Sequence, residues 1–312
     1  MERKQSKISI IGAGSVGATV AYSIATQKLV SELVIIDVNK DKAAGEAMDI
    51  SHGLVTMDAM DIHCGDYSEI AGSDVIIVTA GLGRKPGETR LDLAAKNIVI
   101  AKDIAKNIMK YYDGGVVLVV ANPLDVLTYV IRKESGLPAH AVVGTGTSLD
   151  SARFRYLLSE KLKVDARNIH GFMSGEHGDS QFAVWSSVHI AGMPIDAYCA
   201  KRGIALDKPV IEESVRKAGG EVIRLKGATF YAIASVVAEL SRGIIKNTRS
   251  VHNVSTLLTD YCGISDVCIS VPTVLGINGA EEHIPYDYTE EELGKLRSSA
   301  KKMREFLDSL NV

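Results

Sequence analysis

The sequence predicts an α/β fold: a doubly wound parallel sheet followed by an α+β half. Three observations carry it. In the first half of the 312 residues, short continuous apolar runs alternate with helical patterns. The first run ends in a glycine-rich turn that opens a helix. In the second half the alternation gives way to longer helices and a strand pair.

The runs Lys7–Ile11, Leu33–Ile36, Val75–Val78, Val116–Val120 and Ala141–Val143 read as buried strands, with a weaker strand around Asp61–Cys64. Between them, Val16, Val20 and Ile24 share one helical face in Ser15–Gln27. Leu91, Ala94, Ile98, Ala101, Ala105 and Ile108 do so in Glu88–Tyr112. Beyond this region a helix is expected from Ser148 past Leu158, and a long one over Gly227–Ile245. Ser250–Leu258 and Val267–Val271 read as an antiparallel hairpin, with Cys262-Gly263 in the turn region. A closing amphipathic helix starts at a Thr289/Glu292 capping box and repeats Leu293, Leu296, Ala300, Met303, Leu307 and Leu310. The chain is long for one core, so two domains are expected, 1–145 and 146–312, meeting near Gly144–Thr147 around a shared cleft.

Composition narrows the function classes. A formal net charge of −3 gives no electrostatic case for nucleic acid or an anionic membrane. No apolar run approaches the roughly 20 residues that cross a bilayer. Met1–Lys7 is polar and leads straight into a strand, so a cytoplasmic location is expected. The four cysteines, Cys64, Cys199, Cys262 and Cys268, form no C-x-x-C pair; neither structural zinc nor a disulfide framework is expected.

Gly12-Ala13-Gly14-Ser15-Val16-Gly17 matches G-x-G-x-x-G between a strand and a helix. Gly12 permits the tight turn and Gly14 lets the backbone approach a pyrophosphate. Gly17 lets helix and strand meet closely, and the helix N-terminus faces the phosphates. Asp37 ends the second strand twenty positions after Gly17. A carboxylate there accepts the ribose hydroxyls of NAD and repels the extra phosphate of NADP. The first domain is therefore expected to be a Rossmann domain that binds NAD through Gly12, Gly14, Val16, Gly17 and Asp37.

Four further segments carry chemistry. Gly81–Arg90, with three glycines, a proline and two arginines, reads as a lid that brings charge onto a bound anion. Ala121-Asn122-Pro123 lies at the C-terminal end of a parallel strand, where open α/β sheets bind ligands. Asp150 and Arg153 stand three apart on one helix face. His177 sits in Gly175-Glu176-His177-Gly178-Asp179. Singly, each has a plainer explanation: a surface i,i+3 ion pair, a loop histidine, solvated arginines. Around one dinucleotide fold those explanations lose.

On these motifs the chain resembles the lactate/malate dehydrogenase family over nearly its whole length. Between Gly144 and Asp179 it is especially similar to bacterial L-lactate dehydrogenases. The resemblance implies reversible hydride transfer between NADH and a 2-keto acid, with no metal. In that chemistry His177 gives the carbonyl oxygen its proton, and Asp150 orients and stabilises the imidazolium. Arg153 grips the substrate carboxylate as a guanidinium fork, and Arg90 polarises the carbonyl. Asn122 holds the cofactor ring region and the substrate oxygen, and Thr229 lines the pocket. A homo-oligomer, commonly a tetramer, is also implied. Arg155 and His170 match positions that in bacterial lactate dehydrogenases bind a sugar bisphosphate effector, fructose 1,6-bisphosphate. A structural ion pair at Arg155 and an interface position for His170 remain the alternative.

Substrate choice falls on Arg84. Malate dehydrogenases carry arginine at the matching position, and lactate dehydrogenases an uncharged residue, typically glutamine. Oxaloacetate brings a second carboxylate for Arg84, whereas pyruvate leaves the guanidinium unpaired. Malate/oxaloacetate is the favoured expectation. Lactate/pyruvate is the rival, because Glu88 and Thr229 follow the lactate pattern and Glu88 is near enough in sequence to neutralise Arg84. Two other classes stay open: a nucleotide sensor without catalysis, which leaves the Asp150, Arg153 and His177 set idle, and an NAD-using glycosidase, which leaves those segments unexplained.

Overall fold

A computed structural model describes residues 6–83, 87 and 89–312. In the first half β1 (Lys7–Ile11), α1 (Ser15–Thr26), β2 (Glu32–Ile36), α2 (Lys40–His52), β3 (Asp61–Cys64) and β4 (Val75–Val78) lead to α3 (Arg90–Met109). Then come β5 (Val116–Val119), α4 (Leu124–Ser135) and β6 (Val142–Gly144). The second half runs α5 (Ser148–Leu162) and five two-residue strands: β7 (Ile169–His170), β8 (Met173–Ser174), β9 (Phe182–Ala183), β10 (His189–Ile190) and β11 (Met193–Pro194). It continues through α6 (Ile195–Arg202), α7 (Lys208–Lys226), α8 (Tyr231–Ile245), β12 (Ser250–Leu257), β13 (Cys268–Gly276), β14 (Gly279–His283) and α9 (Glu290–Ser309).

The main sheet has the order β3-β2-β1-β4-β5-β6-β12-β13-β14. Its first six strands are parallel, and β12, β13 and β14 extend it antiparallel through the Gly144–Ser255 pairing. The parallel strands are buried on both faces, which is why they read as unbroken apolar runs. Alternate residues serve different cores. Ile8, Ile10, Val75 and Ile77 join α1 and α8 on one face, whereas Ile11, Ile76 and Val78 join α3, α4 and the Leu296, Met303 and Leu307 stripe of α9 on the other. A third core around Phe154, Leu158 and Val188 supports the C-terminal half. The strand order reverses between β1 and β4, the switch point where such sheets bind ligands.

The predicted strands and the hairpin form, and the Thr289/Glu292 capping box opens α9 with both of its reciprocal hydrogen bonds. One expectation needs correction. The long helix over Gly227–Ile245 begins only at Tyr231, and a separate nineteen-residue helix, α7, precedes it. Gly227 is no helix start but the left-handed cap that ends α7, with φ +85° and its N–H bonded to the Ile223 carbonyl.

Candidate active site

The glycine loop lies at the switch point. Gly12 has φ +112°, a backbone region that disfavours side chains, and a methyl group on Gly17 would sit 1.8 Å from the Gly12 oxygen. Among the described residues nothing lies within 4 Å of the place a Cβ on Gly14 would fill. The Asp37 carboxylate is set against the loop by the N–H groups of Ala13 (2.6 Å) and Asn39 (2.8 Å), with lone pairs left for a hydroxyl. An open backbone cradle beside an acid fits NAD, and Gly12, Gly14, Gly17 and Asp37 are the residues that would hold it.

Next to this loop is a cavity of about 280 Å³. Val16 and Asn122 line it from the first half; Asp150, Arg153, His177 and Thr229 line it from the second. Asp150 is 1% exposed, so it is no surface ion-pair partner. Its Oδ2 meets His177 Nδ1 at 2.6 Å, and its Oδ1 accepts from Arg153 Nη1 at 3.1 Å. Burial pushes the Asp150 carboxyl up, but the facing His177 and Arg153 charges outweigh it and hold the group below the usual carboxylate range. Burial likewise pulls the His177 imidazole down, and the Asp150 carboxylate, with Asp125 adding to it, holds the ring above the ordinary histidine value. The arrangement favours a charged imidazolium whose Nδ1–H is engaged, leaving Nε2 for a substrate oxygen.

The His177 loop is fixed from three sides. Gly175 exchanges backbone hydrogen bonds with Ser270 of β13, the Glu176 N–H donates to Ser299 Oγ of α9, and the His177 N–H donates to Asp125 Oδ2 of α4. Gly175, at φ +90°, leaves no room for a Cβ against Ser299. Asn122 precedes a cis proline, and its carbonyl accepts from the buried Asn97 side chain of α3, which also pairs with the Leu82 backbone.

Not every expected residue joins the cavity. Arg90 is the first residue of α3; its guanidinium pairs with Glu176, stacks over Phe306 and borders Gly178, next to His177 but outside the cavity lining. Arg155 lies partly buried on α5 and His170 exposed on β7, and among the described residues no hydrogen bond or ion pair joins them. Arg84 and Glu88 lie outside the described residues. Among the described residues no cluster of histidine, cysteine and carboxylate side chains could hold a metal, the four cysteines are free, and no helix is long and apolar enough to cross a membrane.

The cavity also has walls that the motifs did not mark: Gln181, Arg216, Gly219 and Gly220. The signal for the last two is a glycine pair in mid-helix, where each glycine costs about 1 kcal/mol relative to alanine. Neither has a left-handed backbone, and Gly219 faces the Arg153 guanidinium.

Residues 6–144 match the model described as lactate/malate dehydrogenase, NAD binding domain, and residues 147–311 match lactate/malate dehydrogenase, alpha/beta C-terminal domain. An L-lactate dehydrogenase of Acetivibrio thermocellus is 47% identical over 98% of both chains, and L-lactate dehydrogenase 1 of Clostridium acetobutylicum is 46% identical over 99% of both. Among solved structures, a minor L-lactate dehydrogenase from Enterococcus mundtii superimposes with a TM-score of 0.95 at 38% identity, covering 98% of this chain and 99% of that one.

Proposed function

The chain belongs to the lactate/malate dehydrogenase family and is an NAD-dependent oxidoreductase acting on 2-hydroxy acids; from that premise we propose that its substrate pair is L-lactate and pyruvate. The observation that carries the chemistry is the Arg153–Asp150–His177 chain of contacts on one cavity. Arg153 holds the keto-acid carboxylate in its guanidinium fork. His177 donates from Nε2 to the keto oxygen while Asp150 keeps the Nδ1–H engaged and stabilises the ring's charge. The Gly12–Gly17 loop would hold NADH, which would supply the hydride. Arg90 leaves Glu176 to polarise the keto group, and Asn122 and Thr229 line the site. Residues 1–145 act as the cofactor domain and 146–312 as the substrate domain, in a cytoplasmic homotetramer.

Lactate replaces malate as the leading substrate because the full-length relatives are named L-lactate dehydrogenase. The malate reading finds no support among them and keeps one specific observation, Arg84 itself. Left unpaired in a closed site, a guanidinium costs on the order of 3–5 kcal/mol; with Glu88 as its partner that cost shrinks. Steady-state kinetics with both keto acids tests the choice. A higher kcat/KM for pyruvate than for oxaloacetate is expected, and the reverse order, inverted again by Arg84→Gln, would overturn lactate in favour of malate. Arg155 and His170 are proposed as halves of a phosphate site completed between subunits; no activation by fructose 1,6-bisphosphate would remove that assignment.

A further inference from the structure

Asp150 is not the only carboxylate that faces His177. Asp125 lies in the first turn of α4, two residues beyond Pro123, and is 2% exposed. Its Oδ2 accepts the backbone N–H of His177 at 2.7 Å. Its Oδ1 is buried and faces the buried hydroxyl of Ser255 on β12; neither atom has a hydrogen bond of ordinary geometry among the described residues, so each is the nearest partner open to the other. Burial pushes this carboxyl up to about 6, while the Ser255 hydroxyl and the His177 charge pull it back.

A residue that had only to receive one backbone N–H would not need this charge. Asparagine offers the same acceptor without an ion to desolvate. The charge has a use when the surroundings are counted. Toward the imidazole face Asp150 and Arg153 from α5 and Asp125 from α4; toward Asp125 face Glu176, which is engaged with Arg90, and Cys268 of β13, whose thiol burial pushes far up. Arg216 of α7, also on the cavity wall, is paired with Glu212 and Glu213, so before a keto acid binds protonated His177 and Arg153 are two cations facing the single charge of Asp150. Asp125 restores the balance.

We propose that Asp125 is a positioning residue of the proton-transfer site: its ionised carboxylate clamps the His177 backbone and supplies, with Asp150, the second negative charge that keeps the imidazole protonated. This rests on His177 being the group that delivers the proton. The two functions of Asp125 separate in one substitution. Asp125→Asn keeps the acceptor for the His177 N–H, and its amide can donate to Ser255, but the charge is gone.

The experiment is a nitrogen-15 titration of the His177 ring in the full chain, assigned with His177→Gln, beside the pH profile of kcat/KM for keto-acid reduction. In Asp125→Asn, His177 should lose its proton at lower pH than in the unsubstituted protein. The alkaline limb of the rate profile should move the same way, so that activity above neutrality relative to that below it falls by about threefold or more. Ser255→Ala leaves the clamp intact but makes ionised Asp125 less favourable, and should shift the His177 titration in the same direction by less. An unmoved His177 titration in folded Asp125→Asn overturns the proposal, even if the rate drops at every pH; if that variant does not fold, an unmoved titration in Ser255→Ala does so. A shifted titration with an unshifted rate profile overturns instead the proton-transfer assignment of His177, and the proposal with it.

Discussion

At the scale of single residues, the catalytic centre is an exercise in keeping one proton where it is needed. In the proposed mechanism keto-acid reduction requires protonated His177, so the activity should be present below the ring's pKa in the folded protein and lost as pH rises through it. Because Asp150 holds that value above the ordinary one, the reducing direction should persist to higher pH than an unassisted histidine would allow. Asp150→Asn removes the main cause and also frees the ring to take the wrong tautomer. We expect kcat/KM for keto-acid reduction to fall by about a hundredfold or more at neutral pH, with the alkaline limb moved to lower pH. A variant with wild-type rate and profile would show that the 2.6 Å contact is only structural. Asp150, Arg153 and His177 were legible in the sequence because helical spacing and the flanking glycines announce them. Asp125 was not. An acid in the first turn of a helix already has an ordinary explanation in the helix dipole, and only the fold brings it beneath a residue 52 positions away.

At the scale of elements, α7 is the helix least visible in the sequence, and the reason bears on function. Gly219 and Gly220 interrupt the middle of this helix, so local propensity hides it. The helix forms because Ile211 and Val215 are buried against the α5 core and Asp207 caps its first turn. The glycines are not there for the backbone, nor are they forced by crowding among the described residues: a Cβ on Gly219 would make ordinary contact with Arg153 at 3.5 Å, and one on Gly220 would meet none of the described atoms within 4 Å. Alanine at either position should therefore raise stability by about 1 kcal/mol, read as a higher Tm. The same methyl groups enter the cavity wall, so the double variant should lose more kcat/KM with bulkier keto acids than with pyruvate. A stabilised protein whose ratio of rates across a neutral keto-acid series is unchanged would separate α7 from substrate choice.

At the scale of the whole molecule, the parallel sheet was legible because strands buried on both faces leave an unmistakable apolar signature. What the strand pattern could not convey is how the halves join. The hairpin of the second half does not form its own sheet; β12 pairs with β6, and residues of α9 complete the core beneath β1, β4 and β5. The proposed active site straddles that join: the glycine loop belongs to one side, His177 to the other, and Asp125 links across it. A ligand bound to the first half should therefore stabilise both. NAD at about a hundred times its Kd should add roughly 2.7 kcal/mol to the unfolding free energy and raise Tm by a few degrees in a single calorimetric transition. NADP at equal concentration should raise it less, because its extra phosphate meets the Asp37 carboxylate, and Asp37→Ser should narrow the gap between the two. Two transitions of which only one responds to NAD would mean that the shared sheet does not couple the halves. Equal shifts with both dinucleotides would remove Asp37 as the discriminating residue.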